Sequence, residues 1–246
     1  MIFSMWSVFR SEVLKYRRSW ALYLSVGLPL FVVLLVCLNF ILRKDYFINT
    51  ERFTWMWFSQ SSRSMWGVFL LSPYVALVAA LIAYMEHSNN NWKLILAQPV
   101  RRSLVYLAKL LMGVLLLTVS TLVLAVAILL VGLAFSFSDN ISIGQFLLAV
   151  FVGIPAAWPA LALHFWLGIR FRTFLVTLGV ALAGNFLGLV SFTHEIGRYF
   201  PWSFPIATLG VNGQQGIDWN YLGAAVLLGL VFSVAGCWDF KRKEAT

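Results

Sequence analysis

Charge is scarce in this chain: charged side chains make up 11% of its 246 residues, against about 25% in an ordinary soluble domain. Acidic groups are rarer still, nine in all, and every one of them falls in an expected loop, tail or span end. That pattern argues against an enzyme working at membrane depth and against a proton-coupled carrier, both of which place ionisable groups inside the bundle. Cysteine is nearly absent. Cys37 and Cys237 stand alone, without the close spacing of a metal or redox motif, and read as packing residues. The zinc pattern HExxH is missing, because His194-Glu195 has no second His four residues on. No GxxxxGK[ST] loop is present either, so any ATP used must be held by another chain.

What remains is oil. Hydrophobic residues are 61% of the chain, and a bilayer core about 30 Å thick needs about 20 consecutive apolar residues in helical form. Six runs meet this, at 20–42, 64–85, 104–135, 145–169, 174–193 and 220–238. They are continuous rather than alternating, which points to helices, each satisfying its own backbone, and not to a barrel. The expected fold is therefore all-α, a single membrane domain over 1–246 with six transmembrane helices. The first apolar run is longer than the 7 to 15 residues of a signal-peptide core and is expected to stay as an anchor.

The formal net charge of +9 does not indicate nucleic acid, because its distribution follows topology. Of the 18 basic residues, 13 fall in the tails and loops on one side and five on the other, Arg43, Lys44, Arg52, Arg63 and Arg198. The positive-inside rule then places both termini in the cytoplasm. His164 lies near the inner end of the fourth run, where an imidazole reaches the interface or bonds a carbonyl; proton transfer is the other reading.

Three segments stand between or before the runs. In 1–19, Ile2, Trp6, Phe9, Val13, Tyr16 and Trp20 recur at helical spacing, which predicts an amphipathic helix on the inner leaflet, or an extension of the first span. In 86–102, Glu86 closes the second run and Asn91 suits an N-cap. Trp92, Ile95 and Leu96 then fall on one face and Pro99 stops the turn. Lys93, Arg101 and Arg102 flank this short cytoplasmic helix. Its Trp either anchors a partner or rests at the lipid headgroups. In 194–219, Tyr199, Phe200, Trp202 and Phe204 interleave with Pro201 and Pro205, too apolar for water and too broken to span. This reads as an interfacial or re-entrant segment, or as an aromatic-belt loop.

The N-terminal helix ending in EVLKYRRSW, Pro73 in the second span, Glu86 at its inner end, the run NWKLILAQPVRR and Lys109 entering the third span together resemble the type 2 ABC exporter permeases. The match is with the branch found in lantibiotic immunity transporters, over roughly residues 1–111. The resemblance implies a coupling helix at 86–102 seated in a separate ATP-binding subunit, present in two copies, and a second permease protomer, identical or homologous. ATP and Mg would sit on that partner, with no cofactor bound by this chain. Cargo would be an amphipathic peptide, drug or lipid-like molecule leaving across a bacterial cytoplasmic membrane, with the 194–219 segment at the exit. A stand-alone secondary transporter or channel is the alternative. His87-Ser88-Asn89-Asn90-Asn91 departs from the aliphatic, Gly and Thr residues common in relatives, which bears on cargo more than on fold.

Overall fold

The computed structural model describes residues 5–17, 19–88, 101–137, 139, 142–171, 173–211 and 217–242. Every regular element among them is helical, and six segments are long and apolar enough to cross a bilayer: Trp20–Leu42, Trp55–His87, Arg102–Phe135, Ile143–Arg170, Phe174–Ser191 and Trp219–Arg242. The expected all-α, six-span architecture is thus observed. A short helix, Met5–Tyr16, precedes the first span and packs on the third. The fourth span packs on both the sixth and the second, while the first lies along the third.

The second span starts earlier than its apolar run. Residues 43–63, which the positive-inside count puts on the outer side, contain a helix at Lys44–Asn49 and another, Trp55–Met65, that feeds directly into the span. Thr54 caps the latter by accepting from the Trp57 N–H, and Asp139 accepts from the Trp55 and Met56 N–H groups. These contacts satisfy the orphan donors of the first turn. Trp55 and Phe58 are buried rather than interfacial. Phe40, Phe47, Phe53, Phe58, Phe135 and Phe137 form one ring cluster closing this end of the bundle.

Prolines shape the helices in two ways. A π-helical stretch, Trp66–Leu70, joins Trp55–Met65 to Leu71–Ser88. It lies just before Pro73, whose ring excludes the carbonyl of Phe69 from normal helical pairing. In the fourth span, helix Ile143–Phe151 breaks at Val152 and resumes as Gly153–Arg170; Pro155 likewise excludes the carbonyl of Phe151. Pro29 and Pro159 lie inside continuous helices.

The third span, of 34 residues, is roughly 51 Å long at 1.5 Å per residue and so exceeds a bilayer core. Ser136, at φ 51° in the left-handed region, ends it. Leu30, Leu34, Leu122, Leu130, Leu227 and Val234 point outward, the apolar exterior expected of a chain whose solvent is lipid. Cys37 and Cys237 are free thiols packed partly against the core.

Candidate functional site

At the end of the bundle carrying the N-terminal helix, four charges from three elements meet. Lys109 Nζ, on the third span, donates to Glu86 Oε1 of the second at 2.6 Å and to Glu12 Oε2 of the N-terminal helix at 2.9 Å. Lys15 Nζ donates to Glu12 Oε1 and to Glu86 Oε1, each at 3.2 Å. Two cations face two carboxylates, so the group is neutral as a unit. Lys109 and Glu86 are each 1% exposed, where water screens little and the Coulomb attraction is correspondingly strong.

This corrects the expectation that no ionisable group is buried among the spans. Glu86, expected at the rim of the cytoplasmic loop, is turned inward, and Lys109 is buried with it. The N-terminal helix carries Tyr16 of its predicted stripe onto the third span. Trp6 and Trp20 are exposed, and the face against the third span is centred on Glu12 and Tyr16. This packing brings Glu12 to Lys109. A sequence signal existed, because Glu12 lies one turn from Phe9 and Tyr16 at the edge of the apolar stripe, where a lone acid requires a partner.

Lys15 and Tyr16 titrate accordingly. Burial pulls the Lys15 ammonium down, but the Glu12 and Glu86 carboxylates more than offset it, and its pKa lies above the ordinary 10.5. Burial, followed by the same two carboxylates, pushes the Tyr16 phenol well above its usual range.

The cluster brackets the stem of the segment joining the second and third spans. His87 Nε2 lies 3.2 Å from the Gly168 carbonyl of the fourth span, and Arg102 Nη1 donates to the Lys241 carbonyl of the sixth at 3.1 Å. Arg101 is exposed and takes the N-cap position of the third span. Asn91, Trp92, Lys93, Ile95, Leu96 and Pro99 lie outside the described residues.

At the opposite end, the 194–219 segment forms short turns, Gly197–Tyr199 and Ser203–Pro205, and a π-helical stretch, Ile206–Val211. The four aromatics differ in exposure. Tyr199 is exposed and Phe200 half-buried, whereas Trp202 and Phe204 are buried inside the chain. Trp202 Nε1 donates to His164 Nε2 at 3.0 Å. An indole N–H only donates, so His164 is held as the neutral Nδ1–H tautomer. The imidazole therefore bonds an indole rather than the interface or a carbonyl. Gly184 of the fifth span makes room for the Trp202 ring, on which a Cβ there would press, and Gly188 lies close against the Trp202 backbone and Cβ.

Six apolar helices with buried charge at one end and an aromatic cap at the other define a polytopic helical membrane protein. Residues 8–188 match the family model described as ABC-2 family transporter protein, and the chain belongs to that family. It is the membrane permease component of an ABC-2 type transporter, a transmembrane part without the ATPase domain, and the family implies association with an ATP-binding subunit. No curated protein matches the chain. The family match stops short of the 194–219 segment and the sixth span.

Proposed function

We propose that this permease exports an amphipathic peptide, drug or lipid-like molecule, as in lantibiotic immunity transporters, and that residues 86–102 are the lever through which ATP closure of two ATPase subunits moves the spans. The observation that carries this reading is the buried Lys109–Glu86–Glu12–Lys15 cluster. It ties the second span, the third span and the N-terminal helix together at the two stems of the lever, so a push on the loop tilts all three as one body rather than bending the loop. Trp92, Ile95 and Leu96 supply the packing face. Lys93 and Arg101 meet an acidic rim on the ATPase, with Arg102 holding the stem to the sixth span.

Both termini face the cytoplasm in this reading, and two permease protomers line one path beneath a common pair of ATPases. Of the aromatic cap, exposed Tyr199 offers cargo an amphipathic ring at the outer leaflet, while Trp202 and Phe204 hold the cap in shape. The test is co-expression with a candidate ATP-binding subunit carrying GxxxxGK[ST]. The permease is expected to retain that subunit through purification at equal copy number, with two of each per particle. A permease that transports in vesicles as a single chain, with no nucleotide, overturns the reading in favour of a secondary transporter or channel.

A further inference from the structure

A cavity of about 650 Å³ opens at the end of the bundle opposite the N-terminal helix, between helix Trp55–Met65 and the start of the fourth span. This lies within the roughly 300–1,000 Å³ of small-molecule sites. Trp55 and Phe146 form part of its apolar wall, their ring centroids 5.1 Å apart. Of the polar groups on the wall, Asp139, Gln60 and Arg63 decide what it can take.

Asp139 is already engaged, its two carboxylate oxygens accepting from the Trp55 and Met56 N–H groups at 2.8 and 3.0 Å. Its charge is thus spent on the positive end of a helix. Gln60 Nε2 donates to Ser64 Oγ at 3.0 Å and to the Leu209 carbonyl at 3.4 Å. Arg63 is different. It lies eight residues beyond Trp55, about 12 Å along the helix at 1.5 Å per residue, and is 7% exposed. Its Nε and Nη1 have no hydrogen-bond partner, and it makes no ion pair among the described residues.

The contrast with Lys109 is informative. The chain supplies that buried cation with two carboxylates at under 3 Å, yet it lines a cavity with a second buried cation and supplies none. An unpaired guanidinium inside a span is costly, and its planar fork is shaped for one oxyanion. We propose that this cavity binds the anionic group of an amphiphile, Arg63 holding a singly charged oxyanion while Trp55 and Phe146 pack on the apolar portion. A single charge follows from the single available guanidinium, and an apolar body from the walls. The inference rests on the export reading in that it names the class of molecule the path takes, but the site is defined by binding alone.

The test uses the full chain purified in neutral detergent without an ATPase, so its outcome is independent of the coupling experiment. Phosphatidylglycerol is the probe, titrated and counted by native mass spectrometry, with diacylglycerol as its uncharged counterpart and inorganic phosphate as competitor. The chain is expected to bind one phosphatidylglycerol that Arg63→Gln weakens about ten-fold or more, as removal of a charge-assisted hydrogen bond does. Arg63→Lys should fall between. Ala149→Phe, which fills the cavity without touching the charge, should weaken binding as well, and exposed Arg52→Gln should leave it unchanged. Thermal unfolding of each variant checks that it is folded; should Arg63→Gln not fold, Ala149→Phe decides. Equal phosphatidylglycerol binding by the parent chain and Ala149→Phe, or diacylglycerol binding as tight as phosphatidylglycerol, overturns the proposal. Displacement of the lipid by millimolar inorganic phosphate would reassign the site to a free anion and overturn it equally.

Discussion

Lys109 Nζ and Glu86 Oε1 stand 2.6 Å apart, each side chain 1% exposed, and this contact joins the second and third spans beside the segment that connects them. Removing one partner leaves the other charge buried. Lys109→Met leaves Glu86 and Glu12 sharing Lys15, and a loss of about 3–5 kcal/mol is expected, as for broken buried ion pairs. Adding Glu12→Gln to Lys109→Met restores one cation to one carboxylate and should recover a substantial part. Thermal unfolding in detergent reads both, and equal stability of the parent and Lys109→Met would remove the cluster from the account of the fold.

Alkaline pH should release the N-terminal helix. Lys15 has a folded pKa above its ordinary 10.5, so its stabilisation is complete below that value and fades as pH rises through the folded pKa. Tyr16 works in the same direction. Its phenol is kept neutral in the docked helix by burial, and above its ordinary value of 10.0 the undocked helix gains by ionising. A cysteine at Val13, in a background with Cys37 and Cys237 replaced by Ala, should become reactive to a permeant thiol reagent above about pH 10, after correction for intrinsic thiolate reactivity. Uniform corrected labelling from pH 8 to 11 would refute this.

The lever makes a separate claim on Trp92. Trp92→Ala should cost on the order of 2 kcal/mol of ATPase association and lose cargo-stimulated hydrolysis, with normal membrane insertion because the six apolar runs are untouched. Lys93→Glu should act more mildly, and mainly at low salt. Trp219→Ala, an exposed aromatic at the far end of the bundle, is the control and should spare both activities. Full ATPase retention by Trp92→Ala would favour a headgroup anchor instead.

The aromatic cap depends on small residues facing Trp202. Gly184→Val drives a branched side chain into the indole and should destabilise by about 1–3 kcal/mol, the usual range for overpacking. Trp202→Phe should cost a similar amount by leaving the buried His164 Nε2 without its donor. Combining it with His164→Leu should be less than additive, since both changes remove the same bond. Strict additivity in calorimetric or fluorescence unfolding would show the bond to be without weight.

Legibility differed by kind of feature. The spans were plain because each is a local condition, an unbroken apolar run, and five of the six starts lie within about two residues of those expected, well inside the usual boundary error. The second was misplaced because SQSSRS, residues 59–64, is polar by composition. It is helical and buried because Asp139 and Thr54 cap it and the first span, the third span and the Ile206–Val211 stretch pack against it. Arg63 was accordingly assigned to an outer loop, although it lies inside the span.

Sequence alone determined that this protein is a six-span helical bundle and carried its likeness to exporter permeases, because backbone satisfaction in lipid leaves a continuous apolar run one structure to adopt. Tertiary structure decided which charges meet. Glu12 and Lys109 are 97 positions apart, and neither residue type nor spacing says that the N-terminal helix will bring them to 2.9 Å. It also decided that Trp202 turns inward to His164, and that Arg63 lines a cavity whose carboxylate, Asp139, is bonded to a helix N-terminus instead. Such pairings depend on how helices are rotated and docked against one another, a property of the assembled bundle that local periodicity does not encode.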